Sequence, residues 1–119
     1  MQQDINQWIG EGNIGTDLIL RHTHKTNKPV TNFFIYVQDI HLTRDVVKKT
    51  TSKIPIVAWD TKATFITSNL SKGDKVRVVG KVKTRLIEKE NFAYHAFEVT
   101  LESISLVSSP KEFNSSRFS

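Results

Sequence analysis

The stretch from Lys72 to Arg85 constrains the fold more than any other part of the chain. It opens with Gly73 and Asp74, which favour a turn, and then alternates between apolar and charged residues with one exception, Val79. Successive residues of a strand point to opposite faces, so the pattern predicts a strand with one buried and one cationic face. The predicted buried face comprises Val76, Val78, Gly80 and Val82. The predicted cationic face comprises Lys75, Arg77, Lys81 and Lys83. Such a row is also typical of an ordinary solvated face, so other features must decide between the two interpretations.

The composition predicts one domain with a polyanionic partner. The 119 residues suit a single modest core. The net charge of +5 and the pI of about 9.6 favour nucleic acid or a membrane surface. No apolar run approaches the roughly 20 residues that span a bilayer, so we expect no membrane partner.

The setting and the boundaries of the domain follow from the same composition. The chain has no cysteine and no signal-peptide pattern, so we expect a cytoplasmic protein without disulfides or thiolate metal sites. We predict a domain over residues 1–107 and a flexible tail over 108–119, which is rich in serine and lacks periodicity.

The segment from Ile5 to Leu20 has the pattern of a strand broken in the middle. The interruptions are Gly10, Gly12 and Gly15. Glycines in such a segment indicate a bulge or a sharp bend. Their spacing fits a nucleotide-binding loop, but Asp17–Leu20 returns to a strand pattern instead of opening a helix. The polar turn that follows contains His22 and His24, and since no third ligand accompanies them we predict no metal site.

Two further strands are predicted over Pro29–Asp39 and Ile54–Trp59. In the second strand, the predicted inner residues are Phe33, Ile35 and Val37, and the outer ones are Val30, Asn32, Phe34 and Tyr36. In the third, the predicted inner residues are Ile54, Ile56 and Ala58, and the outer ones are Lys53, Pro55, Val57 and Trp59. Pro55 cannot donate a ladder hydrogen bond, so it predicts an edge or a bulge.

The outer aromatic residues have two interpretations. Phe34 and Tyr36 belong either to a subunit contact or packed layer, or to a platform on which bases stack. Trp59 lies on the same predicted face as the cations. A lone outward tryptophan can cap an apolar patch, but beside cations it favours base stacking.

Two loops are predicted between the strands. Residues 40–52 are predicted to form a long basic hairpin loop with Arg44, Lys48 and Lys49, and long loops in small domains are usually functional or disordered. Residues 84–91 are predicted to form a second, charged loop.

A short helix and a last strand complete the predicted elements. Asp60 or Thr61 is expected to cap the helix through its side-chain oxygen. The residues expected to close one end of the core are Ala63, Ile66 and Leu70, with Phe65 beside them. In the strand over Phe92–Val107, Phe97, Val99 and Leu101 are expected to point inward and Tyr94 outward. The alternation slips near Ser103, which indicates a bulge.

The order of elements predicts an all-β fold. Five strands with one short helix between the third and fourth are the plan of the OB-fold, a Greek-key barrel that often binds oligonucleotides across its second and third strands. Cations can follow phosphates while aromatic rings stack on exposed bases, a combination that suits single strands better than duplex DNA. The candidate nucleic-acid-binding residues are Trp59, Phe34, Tyr36, Arg21, Arg44, Lys48, Lys49, Lys53, Lys75, Arg77, Lys81, Lys83, Arg85 and Tyr94.

Four segments, in order along the chain, resemble the bacterial and phage single-stranded-DNA-binding protein family. They are Gly12–Asp17 followed by Arg21, Lys28–Phe33, Leu70–Gly80 and Lys83–Arg85, which look like the family's G-N-L-G-x-D-P-x-x-R, G-x-P-V-x-N-F, L-x-K-G-D-x-V-x-V-x-G and T-R motifs. The resemblance implies an OB barrel, usually a homotetramer, that coats single-stranded DNA in replication, recombination and repair. It places Trp59 where the family has a base-stacking phenylalanine.

The chain departs from the family pattern at several positions. Lys53 and Ile87 replace family aromatics, and the acidic tip that recruits replication and recombination proteins in the family is missing. A short version of this kind indicates a phage or mobile-element protein. We expect a homo-oligomer, with a tetramer favoured and a dimer as the alternative.

Other functions remain to be distinguished. The chain can instead be an oligomerising OB module that binds protein, such as a primosome or recombination accessory factor. No catalytic constellation stands out, so we predict neither an enzyme nor a cofactor. Stacking does not distinguish DNA from RNA, and no role is predicted for Trp8.

Overall fold

A computed structural model describes residues 3–110 of the chain. In order along the chain, the elements are β1 (Trp8–Ile14), β2 (Arg21–His22), β3 (Pro29–Thr43), β4 (Val46–Trp59), α1 (Thr61–Asn69), β5 (Lys75–Glu88) and β6 (Ala93–Ser108). The strands are ordered β1-β5-β6-β4-β3-β2, and β1 also pairs with β3. This second pairing closes five strands into a barrel, with β2 as a two-residue addition, so the predicted OB-fold is confirmed.

The barrel core is built from the faces that alternation predicted. Val76 and Val78 on β5 are fully buried, whereas Lys75 and Arg77, which alternate with them, are exposed. From β3 and β4, Phe33, Ile35, Ile56 and Ala58 join the same core, as predicted. Trp8, for which no role was predicted, pairs with Gly80 and packs against this core.

The turn before β5 also fixes the end of β1. Gly73 has a φ of +97°, which a residue with a side chain rarely adopts. The buried carboxylate of Asp74 accepts a hydrogen bond from the Ser71 N–H at 2.9 Å. Ile14 donates to the carbonyl of Asp74 and accepts from the N–H of Gly73, at 2.9 and 2.8 Å. The predicted turn therefore positions both β1 and the cationic strand.

The prediction of a loop over residues 40–52 is wrong. β3 and β4 stay paired from Val30↔Trp59 to Thr43↔Val46, and only Arg44 and Asp45 connect them. Both residues have positive φ, 45° and 66°, as two-residue hairpin turns often require. The segment contains many β-branched residues, which favour strands, whereas the prediction gave its polarity more weight. The result is a long, exposed ribbon.

The second predicted loop, over residues 84–91, is also too long. β5 continues to Glu88, which pairs with Ala93. The connection is closed by a 2.8 Å hydrogen bond from the N–H of Lys89 to the carbonyl of Phe92. Charged residues are compatible with a strand where both faces meet water, so charge alone does not indicate a loop.

The first strand is shorter than predicted. β1 ends at Ile14, and residues 17–20 form no strand before β2 begins at Arg21. Residues 17–20 pair with no other strand within the described part of the chain, and an extended segment needs such a ladder to count as a strand.

The helix closes the barrel as predicted, but not with the predicted cap. Ala63, Ile66 and Leu70 are buried. Phe65 is 52% exposed, because it lies about 100° around the helix from Ile66 and faces away from the core. Asp60 is at the N-cap position with a φ of 59°, and its side chain makes no capping hydrogen bond.

The pairings of β6 with β5 and with β4 explain the remaining differences between the predicted and the observed residue positions. Val79 pairs with Ser103 but Gly80 with Leu101, so Glu102 is the extra residue of a bulge and the predicted slip is confirmed. Upstream, β6 pairs with β4 only at Ile56↔Val99 and Val57↔Thr100.

This short pairing places Phe97 differently from the sequence prediction and confirms the position of Pro55. Phe97 lies beyond the barrel and is 49% exposed, so its predicted inward position is wrong. Val57 and Val30 lie on the outer side, as predicted, but they are buried there because strands flank them on both sides. Pro55 lies just outside the β4–β6 pairing, at an edge as predicted.

β6 extends to Ser108, and the predicted tail lies outside the described residues from position 111 onward. Among the described residues, no helix is long and apolar enough to cross a membrane.

Candidate nucleic-acid interface

The strand register decides which predicted side chains share a face. Directly paired residues point to the same side of a sheet. We call the outer face the side of the barrel that carries Phe34, Tyr36 and Trp59. One row of paired residues on this face crosses four strands: Asn32, Val57, Thr100 and Lys81. The aromatic face of β3 and β4 is therefore continuous with the cationic face of β5.

A second row of paired residues on the outer face runs through β1. Tyr36 pairs with Lys53 on β4 and with Asn13 on β1, and Asn13 pairs in turn with Lys75 on β5. Tyr36 therefore has Lys53 directly beside it on one side, and on the other side Lys75 lies one strand beyond Asn13. This arrangement places positive charge around an exposed ring.

Each outer aromatic ring has a different setting. Phe34 is half-buried, and the ammonium of Lys53 lies 4.1 Å from its ring centroid, a cation–π contact. The ring of Tyr36 lies over Gly15, where an added Cβ would come within 2.0 Å of Tyr36 Cε2. Tyr36 and Trp59 are 38% and 39% exposed, so each ring combines fixed packing with an accessible surface.

Arg21 lies on the same face as Trp59. It pairs with Val30 on β3, and Val30 pairs with Trp59 on β4. Arg21 and Trp59 therefore lie on the two strands that flank the buried Val30.

The ribbon formed by residues 38–51, the first ribbon, divides its lysines between two faces. Lys49 pairs with Ile40 in the register of the outer face, whereas Lys48 pairs with His41 in the opposite register. Arg44 lies in the turn at the tip. The structure thus extends the outer face to Lys49 but does not bring Lys48 onto it.

The ribbon formed by residues 84–97, the second ribbon, extends the cationic face of β5. Arg85 pairs with Ala96, and Ile87 with Tyr94, in the same register as Lys81 and Lys83. Tyr94 is 44% exposed and stacks on Phe92 with ring centroids 5.9 Å apart. Two of the β5 cations have a carboxylate-bearing neighbour, because Arg77 pairs with Glu11 on β1 and Lys83 pairs with Glu98 on β6.

A groove separates the two ribbons where they leave the barrel. It encloses about 310 Å³ and is lined by Asn32, Phe33, Phe34, Pro55, Ile56, Arg85, Ala96, Phe97 and Glu98. Two of the predicted site residues, Phe34 and Arg85, meet there. Phe97 and Glu98 were missed, because the sequence prediction treated Phe97 as a core residue. The apolar pattern over Phe92–Val107 is longer than a strand of a small barrel needs. This length was the signal that could have indicated that Phe97 lies outside the core.

Two other features lie away from the outer face. A second groove of about 460 Å³ is lined by Thr61, Lys62, Phe65, Leu101, Ser103 and Ile104, none of which is a predicted site residue. Within residues 3–110, no group of three His, Cys, Asp or Glu side chains is placed to hold a metal ion.

Residues 5–107 match the model of the Single-strand binding protein family. The chain belongs to this family. The resemblance seen in the four sequence motifs is thereby confirmed.

Known relatives agree with the family. A single-stranded DNA-binding protein of Malacoplasma penetrans (strain HF-2) is 38% identical over 68 residues, which are 56% of this chain and 36% of that protein. The match therefore spans about a third of the relative's length.

Solved structures support the fold. The structure of the Plasmodium falciparum SSB complex with ssDNA superposes with a TM-score of 0.81 at 19% identity, covering 91% of this chain and 99% of that one. The small single-stranded DNA-binding protein from Streptomyces coelicolor gives a TM-score of 0.69 at 23% identity, covering 84% and 92%. At these identities the likeness establishes a shared barrel.

Proposed function

We propose that the chain is a non-catalytic protein that coats single-stranded DNA without sequence preference. The observation that carries this proposal is the four-strand row Asn32–Val57–Thr100–Lys81, which joins the aromatic and cationic surfaces into one face. A strand lying on this face can stack its bases on Phe34, Tyr36 and Trp59 while its phosphates meet lysines and arginines on either side.

The chemistry of the face favours single strands over duplex DNA. Stacking on an aromatic side chain contributes about 1–3 kcal/mol per base and requires a base that is not already stacked in a duplex. Each phosphate neutralised by a lysine or arginine releases counterions, so affinity falls as salt rises, with a log–log slope of about −0.7 per contact on single strands. Neither term depends on the base sequence.

The biological setting is part of the proposal. Family membership supports a role in DNA replication and recombination, as a homo-oligomer for which a tetramer is favoured and a dimer is the alternative. We place it in the cytoplasm of a bacterial cell, or of the host if a phage encodes it. Family membership also favours this role over that of an OB module that binds only protein.

The proposal is tested by measuring binding to a dT oligomer of about 16 nucleotides, the upper end of site sizes for one OB-fold, and to a duplex of equal length. Trp59→Ala is expected to weaken dT binding about 5- to 100-fold, because it removes one stacking surface. Phe65→Ala is the control, since it removes an exposed ring from the helix, away from the outer face.

Two outcomes would contradict the proposal. Equal affinity for duplex and single strand would exclude recognition by stacking. An oligomer that does not bind dT even at low salt would instead support the protein-binding module.

A further inference from the structure

The groove between the ribbons has features that a general coat surface does not require. It exists because β4 and β6 pair over only two residues each, after which β4 follows β3 and β6 follows β5. The two ribbons diverge from that point and leave a wedge-shaped space beside the outer face. Its volume, about 310 Å³, lies at the lower end of the range for small-ligand sites, which suits one planar ring system.

Aromatic and apolar side chains form the walls and floor of this groove. Phe34 contributes from β3 and Phe97 from β6, with Pro55 and Ile56 between them. Phe97 pairs with Thr84 on β5, is 49% exposed and lines this space. Aromatic walls of this kind bind a base through its π-face regardless of its identity.

Three polar side chains line the groove: Arg85, Glu98 and Asn32. The amide of Asn32 both donates and accepts hydrogen bonds, so it does not distinguish between the bases. Arg85 is exposed and offers guanidinium donors, which match a phosphate. Glu98 is half-buried, and an ionised carboxylate can only accept hydrogen bonds. The amino group N4 of cytosine donates to such a carboxylate, whereas thymine presents the acceptor O4 at the same position.

We infer that this groove binds one base of the DNA strand and that Glu98 biases it toward bases with an amino group, so that cytosine is preferred to thymine. The inference rests on the proposed function and adds a compositional bias at one position to binding that is otherwise independent of sequence. Arg85 holds the adjoining phosphate, and Phe97 supplies a stacking wall that the family motifs did not indicate.

The test compares dC and dT oligomers of equal length on the wild type, Glu98→Gln and Glu102→Gln. A glutamine amide both donates and accepts, so it can pair with either pyrimidine. The ratio Kd(dT)/Kd(dC) is expected to fall about threefold or more in Glu98→Gln. Glu102→Gln removes the same charge from the same strand, at the bulge and outside the groove, and is expected to leave the ratio unchanged.

The outcomes separate this inference from the proposed function. A ratio that stays constant in Glu98→Gln, or that shifts equally in both variants, overturns the inference while leaving DNA coating intact. Failure of the wild type to bind either oligomer overturns the proposed function itself. Circular dichroism verifies that each variant is folded.

Phe97→Ala provides a second readout. It is expected to weaken dC and dT binding alike, about fivefold or more, because the wall contacts any base. Unchanged affinity for both oligomers would show that no base enters the groove and would overturn the inference.

Discussion

Tyr36 shows how a single glycine on a neighbouring segment decides where an aromatic side chain lies. Alternation along β3 correctly placed the ring on the outer face, but only the structure shows that it rests on Gly15. No pattern within one strand records such a contact, because it joins residues from separate segments. The same limit explains why the burial of Val57 was not predicted, since it depends on the strands to either side of it.

Gly15→Ala tests whether the position of Tyr36 matters for binding. The added Cβ would come within 2.0 Å of Tyr36 Cε2, so the ring must swing away. We expect a stability loss of about 1–3 kcal/mol, typical of overpacking, together with weaker dT binding. Urea denaturation and an oligomer titration measure the two effects.

Gly10→Ala is the matched control for that substitution. Its Cβ would come within 2.3 Å of the Trp8 ring, which packs against the core and does not lie on the outer face. It should therefore destabilise the protein without changing the affinity of the folded fraction for dT. If Gly15→Ala binds dT as tightly as the wild type, the orientation of Tyr36 is irrelevant to binding.

At the scale of elements, the sequence predicted the barrel strands better than the ribbons. β5 was recognised from its alternation, since one face is buried and the pattern is strong. The ribbons have no buried face, so no apolar period distinguishes them from loops, and their polarity led to the wrong prediction. Recognising them required weighing β-branched residues and the absence of proline and glycine over residues 40–52.

The first ribbon offers a test in which two adjacent lysines serve as each other's control. Lys49 continues the outer face and Lys48 lies on the opposite face, yet both are exposed and carry the same charge. We expect Lys49→Glu to weaken dT binding about five- to tenfold at low salt and to lower the salt slope by about 0.7. Lys48→Glu should have a clearly smaller effect on both quantities.

The comparison isolates register from net charge, since both variants change the charge of the chain equally. Equal losses in the two variants would mean that the ribbon acts only as a diffuse positive field. A larger loss in Lys48→Glu would mean that the strand follows the other face of the ribbon.

At the scale of the whole molecule, closure of the barrel makes the same strands form both the buried core and the outer face. The order of elements was sufficient to predict the barrel, because few topologies accommodate five strands with one helix between the third and fourth. The continuity of the outer face was not predictable, since it depends on the two-residue pairing of β4 with β6. The candidate site was therefore predicted as a set of residues but not as a surface.

The helix at the end of the barrel allows the core to be tested independently of DNA binding. Ile66 is fully buried against the core, whereas the larger Phe65 beside it is 52% exposed. Removing buried methyl groups leaves a cavity, so Ile66→Ala is expected to lower the free energy of unfolding by about 2–5 kcal/mol. Phe65→Ala deletes more atoms but should cost only about 1 kcal/mol, because about half of that residue remains exposed to water in the folded state. Urea denaturation of both variants shows which one loses more free energy of unfolding. A larger loss in Phe65→Ala would mean that the helix stabilises the protein mainly through the apolar groove beside α1, and not by closing the end of the barrel.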